Sequence, residues 1–222
     1  MGRTGVAEKQ ANGNEKKGNV KEQKKAIRIA APQIEPVKLT IEGTAPLIMK
    51  QLSAKVIRTI EGKQQGLVDD RGKKSPRIPE EEYEDAFYRD RQGRYCVRGI
   101  WFKMGMMAMT SYAKGLFQKD VLSGVHVVGD LIPLKKYSDP YMVGDPVRVG
   151  GRNKTTTVTY RPYFDTWTVD LTIMVDTTVL SVEEAVNLLA KMGTSNGIGE
   201  WRPQRRGVHG TFRVVSVKGG VA

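Results

Sequence analysis

From Trp167 to Val175 the chain alternates strictly: Trp167, Val169, Leu171, Ile173 and Val175 are apolar, and Thr168, Asp170, Thr172 and Met174 stand between them. Successive side chains of a strand point to opposite faces, so this period of two predicts a strand with one buried face and one wet face. Antiparallel sheets are the ones that leave a face to water, and this segment therefore constrains the fold to a sheet with a one-sided core. A helix is predicted directly after it. Ser181 and Glu184 form a capping box, in which the hydroxyl accepts from the amide three residues on and the carboxylate reaches back to the Ser181 amide. Val182, Ala185, Val186, Leu189 and Met192 make one apolar stripe, and Gly193 is the expected stop.

The remaining elements are read in the same way. Val37, Leu39 and Ile41 alternate with Lys38, Thr40 and Glu42, predicting a first strand that continues through Pro46 to Met49. Arg94 to Val97 predicts a short strand after the Gln92-Gly93 turn. Ile100 to Ala113 predicts a helix that is apolar nearly all round and rich in methionine, so that it is buried on more than one side or faces a partner. Val125 to Leu134 predicts one strand, 135–163 a β-hairpin excursion, and Phe212 to Val217 the last strand. Without its excursions the order is strand, helix, strand, strand, helix, strand. This is an α+β, ferredoxin-like (RRM-like) βαββαβ core, with two helices on one sheet face and the other face free. Residues 29–222 are expected to form one domain. Residues 50–98 form a long insertion after the first strand: a basic stretch followed by the acidic run Glu80, Glu81, Glu82, Glu84 and Asp85. Connections of this length are uncommon in compact domains unless functional, so the insertion is expected to project.

Charge narrows the function. The chain carries a net +12. Residues 1–28 hold eight basic residues against three acidic ones and almost nothing to bury, predicting a disordered basic tail. The rest of the chain still holds +7, so the excess belongs to the body as well. Such an excess attracts polyanions, and nucleic acid is the expected partner. No apolar run approaches the ~18–20 residues of a membrane span, and no secretory signal is read, so no membrane association and a cytoplasmic location are expected. His126, His209 and Cys96 are scattered and lack metal-ligand spacing, so no metal or other cofactor is expected. The stretch from Gly66 to Ser75 fails the spacing of a phosphate loop.

The most informative segment runs from Gly193 to Gly210, with five glycines in eighteen positions between a helix and a strand. Glycines permit positive φ, and consecutive amides can form an anion nest. Arg202, Arg205 and Arg206 add charge, and Trp201 offers a face for base stacking. The same composition also suits a tight, packed connection with solvated arginines. The candidate nucleic-acid contacts are Gly197, Gly199, Trp201, Arg202, Arg205, Arg206 and His209 in this loop, and Lys50, Lys55 and Arg58 after the first strand. Lys103 on the first helix and Arg148, Arg152, Lys154 and Arg161 on the hairpin complete the set. No catalytic residue is assigned.

Gly197, Ile198 and Gly199, followed by Gly207, Val208, His209 and Gly210, resemble the glycine-rich loop that precedes the last strand in the RAMP superfamily. That superfamily includes the filament-forming backbone subunits of CRISPR effector complexes. The passage from Asp90 through Gly93, Tyr95 and Gly99 to Lys103 is similar to the family's lead into its first helix. The resemblance implies a ferredoxin-like fold and binding along single-stranded nucleic acid, RNA ahead of DNA. It also implies side-by-side oligomerisation into a filament, in a CRISPR subunit or a phage- or plasmid-borne relative. Some members are metal-independent endoribonucleases that use a histidine, and some backbone subunits cut target RNA with a loop aspartate, which would direct attention to His209 and to Asp69 or Asp70. A structural viral assembly protein is the remaining alternative.

Overall fold

The computed structural model describes residues 31–66, 77–149 and 155–219. The expected basic tail, Asp69, Asp70, Arg152 and Lys154 lie outside the described residues. Pro32–Ala222 is one compact unit.

The central sheet runs β3 (Cys96–Arg98), β5 (Leu131–Tyr137), β8 (Trp167–Asp176), β1 (Ile34–Gly43), β9 (Phe212–Lys218), with β4 (Val125–Val127) also paired to β8. All of these pairings are antiparallel. In terms of the four strands of the expected core, the spatial order is last, first, third, second. The alternation dictates the layering: Val37, Leu39 and Ile41 of β1 and Trp167, Val169, Leu171, Ile173 and Val175 of β8 are all buried on one face. Burying a Val, Leu or Ile side chain is worth about 1.5–3 kcal/mol, so a one-residue slip of β1 against β8 would be strongly disfavoured.

Two helices cover that face, α3 (Gly99–Met109) and α5 (Val182–Ser195). They touch closely because Gly105 has no side chain: a Cβ there would lie 2.4 Å from Met192 Sδ. A short helix between them in sequence, α4 (Gln118–Gly124), leads into β4 and sets Val121 into the same core. The capping box of α5 forms as expected, with the Glu184 amide donating to Ser181 Oγ at 3.1 Å and the Ser181 amide to Glu184 Oε2 at 2.7 Å.

Several expectations are corrected. The predicted strand 125–134 is two strands, because Gly129 at φ +92 turns the chain between β4 and β5. Helix α5 runs past Gly193, which is instead a contact point with Phe212, and stops where Asn196 gives way to Gly197 at φ +66. Of the two readings of helix α3, one side is core, with Phe102, Met106 and Met109 buried, and the other leaves Ile100 and Met104 exposed. The basic stretch after the first strand contains a helix, α1 (Ala54–Gln64), capped by Ser53 and burying no residue. The acidic run forms α2 (Pro79–Asp85).

A second sheet has the order β2 (Leu47–Ile48), β7 (Thr155–Phe164), β6 (Tyr141–Val149). It contains the expected hairpin excursion, and it uses the end of the first apolar segment as a third strand.

Candidate nucleic-acid interface

The outward face of the central sheet presents Lys38, Thr40, Glu42, His126, Lys135, Lys136, Thr168, Asp170, Thr172, Met174 and Arg213. Apart from the exposed His126 no ring stands among these residues, so the Phe and Tyr stacking platform of an RNA-recognition sheet is missing here. Part of the charge is moreover paired within the face: Lys135 with Asp170 at 2.7 Å, and Arg213 with Glu42 at 2.8 Å. The open face is therefore a poor candidate for the groove.

The glycine-rich loop forms a more specific site. Its glycines serve mainly to let backbone meet backbone. A Cβ on Gly199 would lie 2.4 Å from the Ile48 carbonyl oxygen, and one on Gly210 would lie 1.8 Å from that of Ile198. The Ile198 amide donates to Gly210, Glu200 to Ile48, His209 to Trp201, and Gly210 to Pro46. Most loop amides thus spend their hydrogen bonds internally, which corrects the expectation of a broad anion nest: this is a tightly packed connection fastened to β2. Its rigidity serves a different purpose, which is to present side chains.

Trp201 is the clearest case. Among the described residues, Trp201 (φ +50) and Arg206 (φ +64) are the only non-glycines at positive φ. For a bulky residue this conformation is an outlier that the surroundings must impose. Here the Trp201 carbonyl is held by the His209 amide at 3.0 Å, and Gly207 lies directly against the Trp201 backbone. The indole is turned outward, 38% exposed.

Beside it lies a cleft of about 390 Å³ lined by Arg161, Glu200, Trp201, Arg202 and Arg205. Arg161 comes from β7 and is only 5% exposed. It pairs with Asp145 at 3.2 Å, its guanidinium carbon is 5.8 Å from the Trp201 ring centroid, and its Nε has no partner. The Asp145 carboxylate also accepts from the Tyr163 hydroxyl at 2.9 Å. Burial, then that hydrogen bond, pushes the Tyr163 phenol up, so it stays a neutral donor. Arg202 donates to the Gly199 carbonyl at 2.7 Å and to Gln204, bracing the loop. Burial, then Arg205 nearby, lowers its pKa. Lys50 is close by, and burial, then the Arg161 charge, lowers its pKa as well, with Glu200 and Glu82 acting in the other direction.

The predicted contacts therefore divide. Lys50, Arg161, Gly199, Trp201, Arg202 and Arg205 converge on this site. Arg206 is exposed at the loop's left-handed turn, and His209 packs edge-on against Tyr163 at 5.6 Å instead of facing the cleft. Gly197 shapes the end of α5. Lys55 and Arg58 lie exposed on α1, and Arg148 is exposed on β6. Lys103 is tied to the Leu122 carbonyl at 2.8 Å, on the helix layer. Glu200, Asp145 and Tyr163 were missed. The hairpin register supplies part of the missing signal, since Asp145 lies opposite Thr159 and so diagonal to Arg161.

The class defined by this architecture is an antiparallel α+β protein with paired helices on one sheet face and a glycine-rich loop leading into the final, central-sheet strand. A similar fold is found in a chain of the Type III-B Cmr-beta structure determined by cryo-EM bound to cognate target RNA, with a TM-score of 0.55 at 9% identity over 84% of this chain. The present chain spans 60% of the length of that one. Cmr6 from Pyrococcus furiosus is also similar, with a TM-score of 0.45 at 10% identity, covering 82% of this chain and 99% of its own. No family model and no curated protein matches the sequence. Among the described residues, no helix is long and apolar enough to cross a membrane, and no cluster of His, Cys, Asp and Glu could hold a metal ion.

Proposed function

We propose that this chain is a RAMP-like protein with a ferredoxin-like core, and that it binds single-stranded RNA without cutting it and oligomerises side by side along the strand. The observation that carries this reading is the cleft at the glycine-rich loop. There an outward-turned indole stands among Arg161, Arg202 and Arg205 in a chain of net charge +12. Aromatic faces stack on bases and arginines neutralise phosphates, which is the combination used to hold single strands. The fold shared with a chain from an RNA-bound complex agrees with it. The body is read as one RAMP-like domain with the 50–98 segment as its insertion, acting in the cytoplasm as a CRISPR or phage-borne component.

The test is an anisotropy titration of labelled single-stranded RNA and DNA at several salt concentrations. Wild type should bind RNA more tightly than DNA. Changing Arg205 and Arg206 to alanine should reduce the salt slope by roughly one for each phosphate that is no longer neutralised, because each neutralised phosphate releases counterions. Both side chains are exposed, so the fold should be retained. An unchanged affinity and slope in that double variant would show that the loop is not the binding site. Cleavage of the RNA in the presence of a chelator would instead support a metal-independent endoribonuclease.

A further inference from the structure

The cleft contains a carboxylate that a pure phosphate site would not want. Glu200 lines it together with three arginines, yet among the described residues the Glu200 side chain makes no hydrogen bond and no ion pair within 4.0 Å, and the cations Lys50 and Arg202 act on it only from farther away. Its position is fixed from behind, by the amide of Glu200 donating to the Ile48 carbonyl at 3.0 Å and by the close fit of Gly199 on the same carbonyl. A phosphate placed here would meet this negative charge at once. A group that presents donors to the carboxylate and acceptors to the arginines would satisfy both.

Among nucleobases one fits that arrangement. Guanine carries two adjacent donors on its Watson–Crick edge, N1–H and the N2 amino group, which match the two oxygens of a carboxylate. Its O6 and N7 are acceptors, which arginine pairs with in bidentate fashion. Adenine has one donor beside one acceptor on that edge, cytosine one donor followed by two acceptors, and uracil one donor between two acceptors. The remaining requirements are a stacking face and enough room. Trp201 is 38% exposed at the rim, and about 390 Å³ lies within the ~300–1,000 Å³ of small-ligand pockets. Arg161, 95% buried, lines the same cleft from β7 and adds its charge there.

We infer that the cleft between β7 and the glycine-rich loop accepts one guanine base of a bound single strand, with Glu200 on its N1–H and N2 amino edge, arginine on its acceptors and Trp201 on its face. The inference rests on the proposed binding of single-stranded RNA and adds a base preference to it. It makes Glu200 a specificity residue together with the arginine on the acceptors, whereas the cations left to the phosphates act on any sequence.

The experiment uses the full chain and labelled oligouridylates carrying one central guanine, adenine, cytosine or inosine, with GMP titrated separately against tryptophan emission. Guanine should be preferred over adenine and cytosine by about tenfold, in line with the cost of mismatching a bidentate base contact. Inosine, which lacks the N2 amino group, should lose most of that preference. Glu200→Gln should bring the four strands close together, and Glu200→Asp should keep part of the difference. Equal affinity of wild type for all four strands, with tight binding throughout, would overturn the guanine assignment and leave the strand-binding reading intact. Failure to bind any of the four strands would overturn that reading itself. GMP binding without strand binding would assign the cleft to a free nucleotide and overturn the strand-borne base.

Discussion

Lys50 sits where the needs of folding and of binding conflict. Its ammonium group is half-buried near Arg161, and burial and that neighbouring charge hold its pKa below 10.5. Between the folded-state pKa and 10.5 the unfolded chain keeps a proton that the folded chain has released, so this residue makes stability rise with pH through that window. Below the window it is charged in both states, and the folded state bears the cost of desolvating it. Lys50→Met should therefore move the urea midpoint up at neutral pH while lowering RNA affinity and reducing the salt slope by about one. A lower midpoint would mean that Glu200 and Glu82 outweigh the desolvation. Trp201 and Arg206 show the same conflict in the backbone, since both hold a conformation that costs of order 1–3 kcal/mol outside glycine. In both cases the strained residue lies in the loop that presents the site.

At the scale of elements, the glycine-rich loop acts as a rigid mount between α5 and β9. Gly199 and Gly93 separate the two reasons a glycine can be required. Both are at positive φ, +75 and +79, but a Cβ on Gly93 meets nothing within 4 Å, whereas on Gly199 it meets the Ile48 carbonyl. Gly93→Ala should cost only the left-handed penalty, about 1–2 kcal/mol. Gly199→Ala should cost more, at least about 2–4 kcal/mol, because β2 must also give way. Equal losses in urea denaturation would show that the loop is not fastened to β2. Helix α1 is the opposite kind of element: it has a proper cap at Ser53 and apolar Val56, Ile57 and Ile60, yet none of its residues is buried.

At the scale of the whole molecule, the question is how charge supports assembly. Of the acidic run on α2, Glu82 pairs with Arg77 and Glu84 with Arg89 inside the same chain. Glu80, Glu81 and Asp85 make no ion pair among the described residues, and all three are exposed. If neighbours meet head to tail through this segment, those three carboxylates are the ones free to face a basic surface on the next copy, and such contacts extend into filaments when the rotation does not close. Reversing Glu80, Glu81 and Asp85 to lysine should leave a folded monomer that no longer assembles on long RNA, as read by sedimentation velocity. Unchanged assembly would place the contact elsewhere.

What the sequence determined by itself is whatever depends on period and local chemistry. The alternation in 37–41 and 167–175 fixed which sheet face is buried, and Ser181 with Glu184 fixed the start of α5, because a side chain's facing and a cap's geometry are decided within a few residues. The glycine and arginine content of 193–210 marked the loop that carries the cleft. Tertiary structure alone decided the rest. It set Gly199 against β2 and Gly207 and Gly210 against the loop's own backbone, brought Arg161 across from the hairpin, left Glu200 beside Trp201 with no ion pair among the described residues, and took His209 onto Tyr163. Apart from the loop's packing on itself, these are contacts between segments about 40 to 160 positions apart in the chain. Local pattern does not encode such distances, because they are set by how the sheets pack against each other and by which backbone groups find partners there.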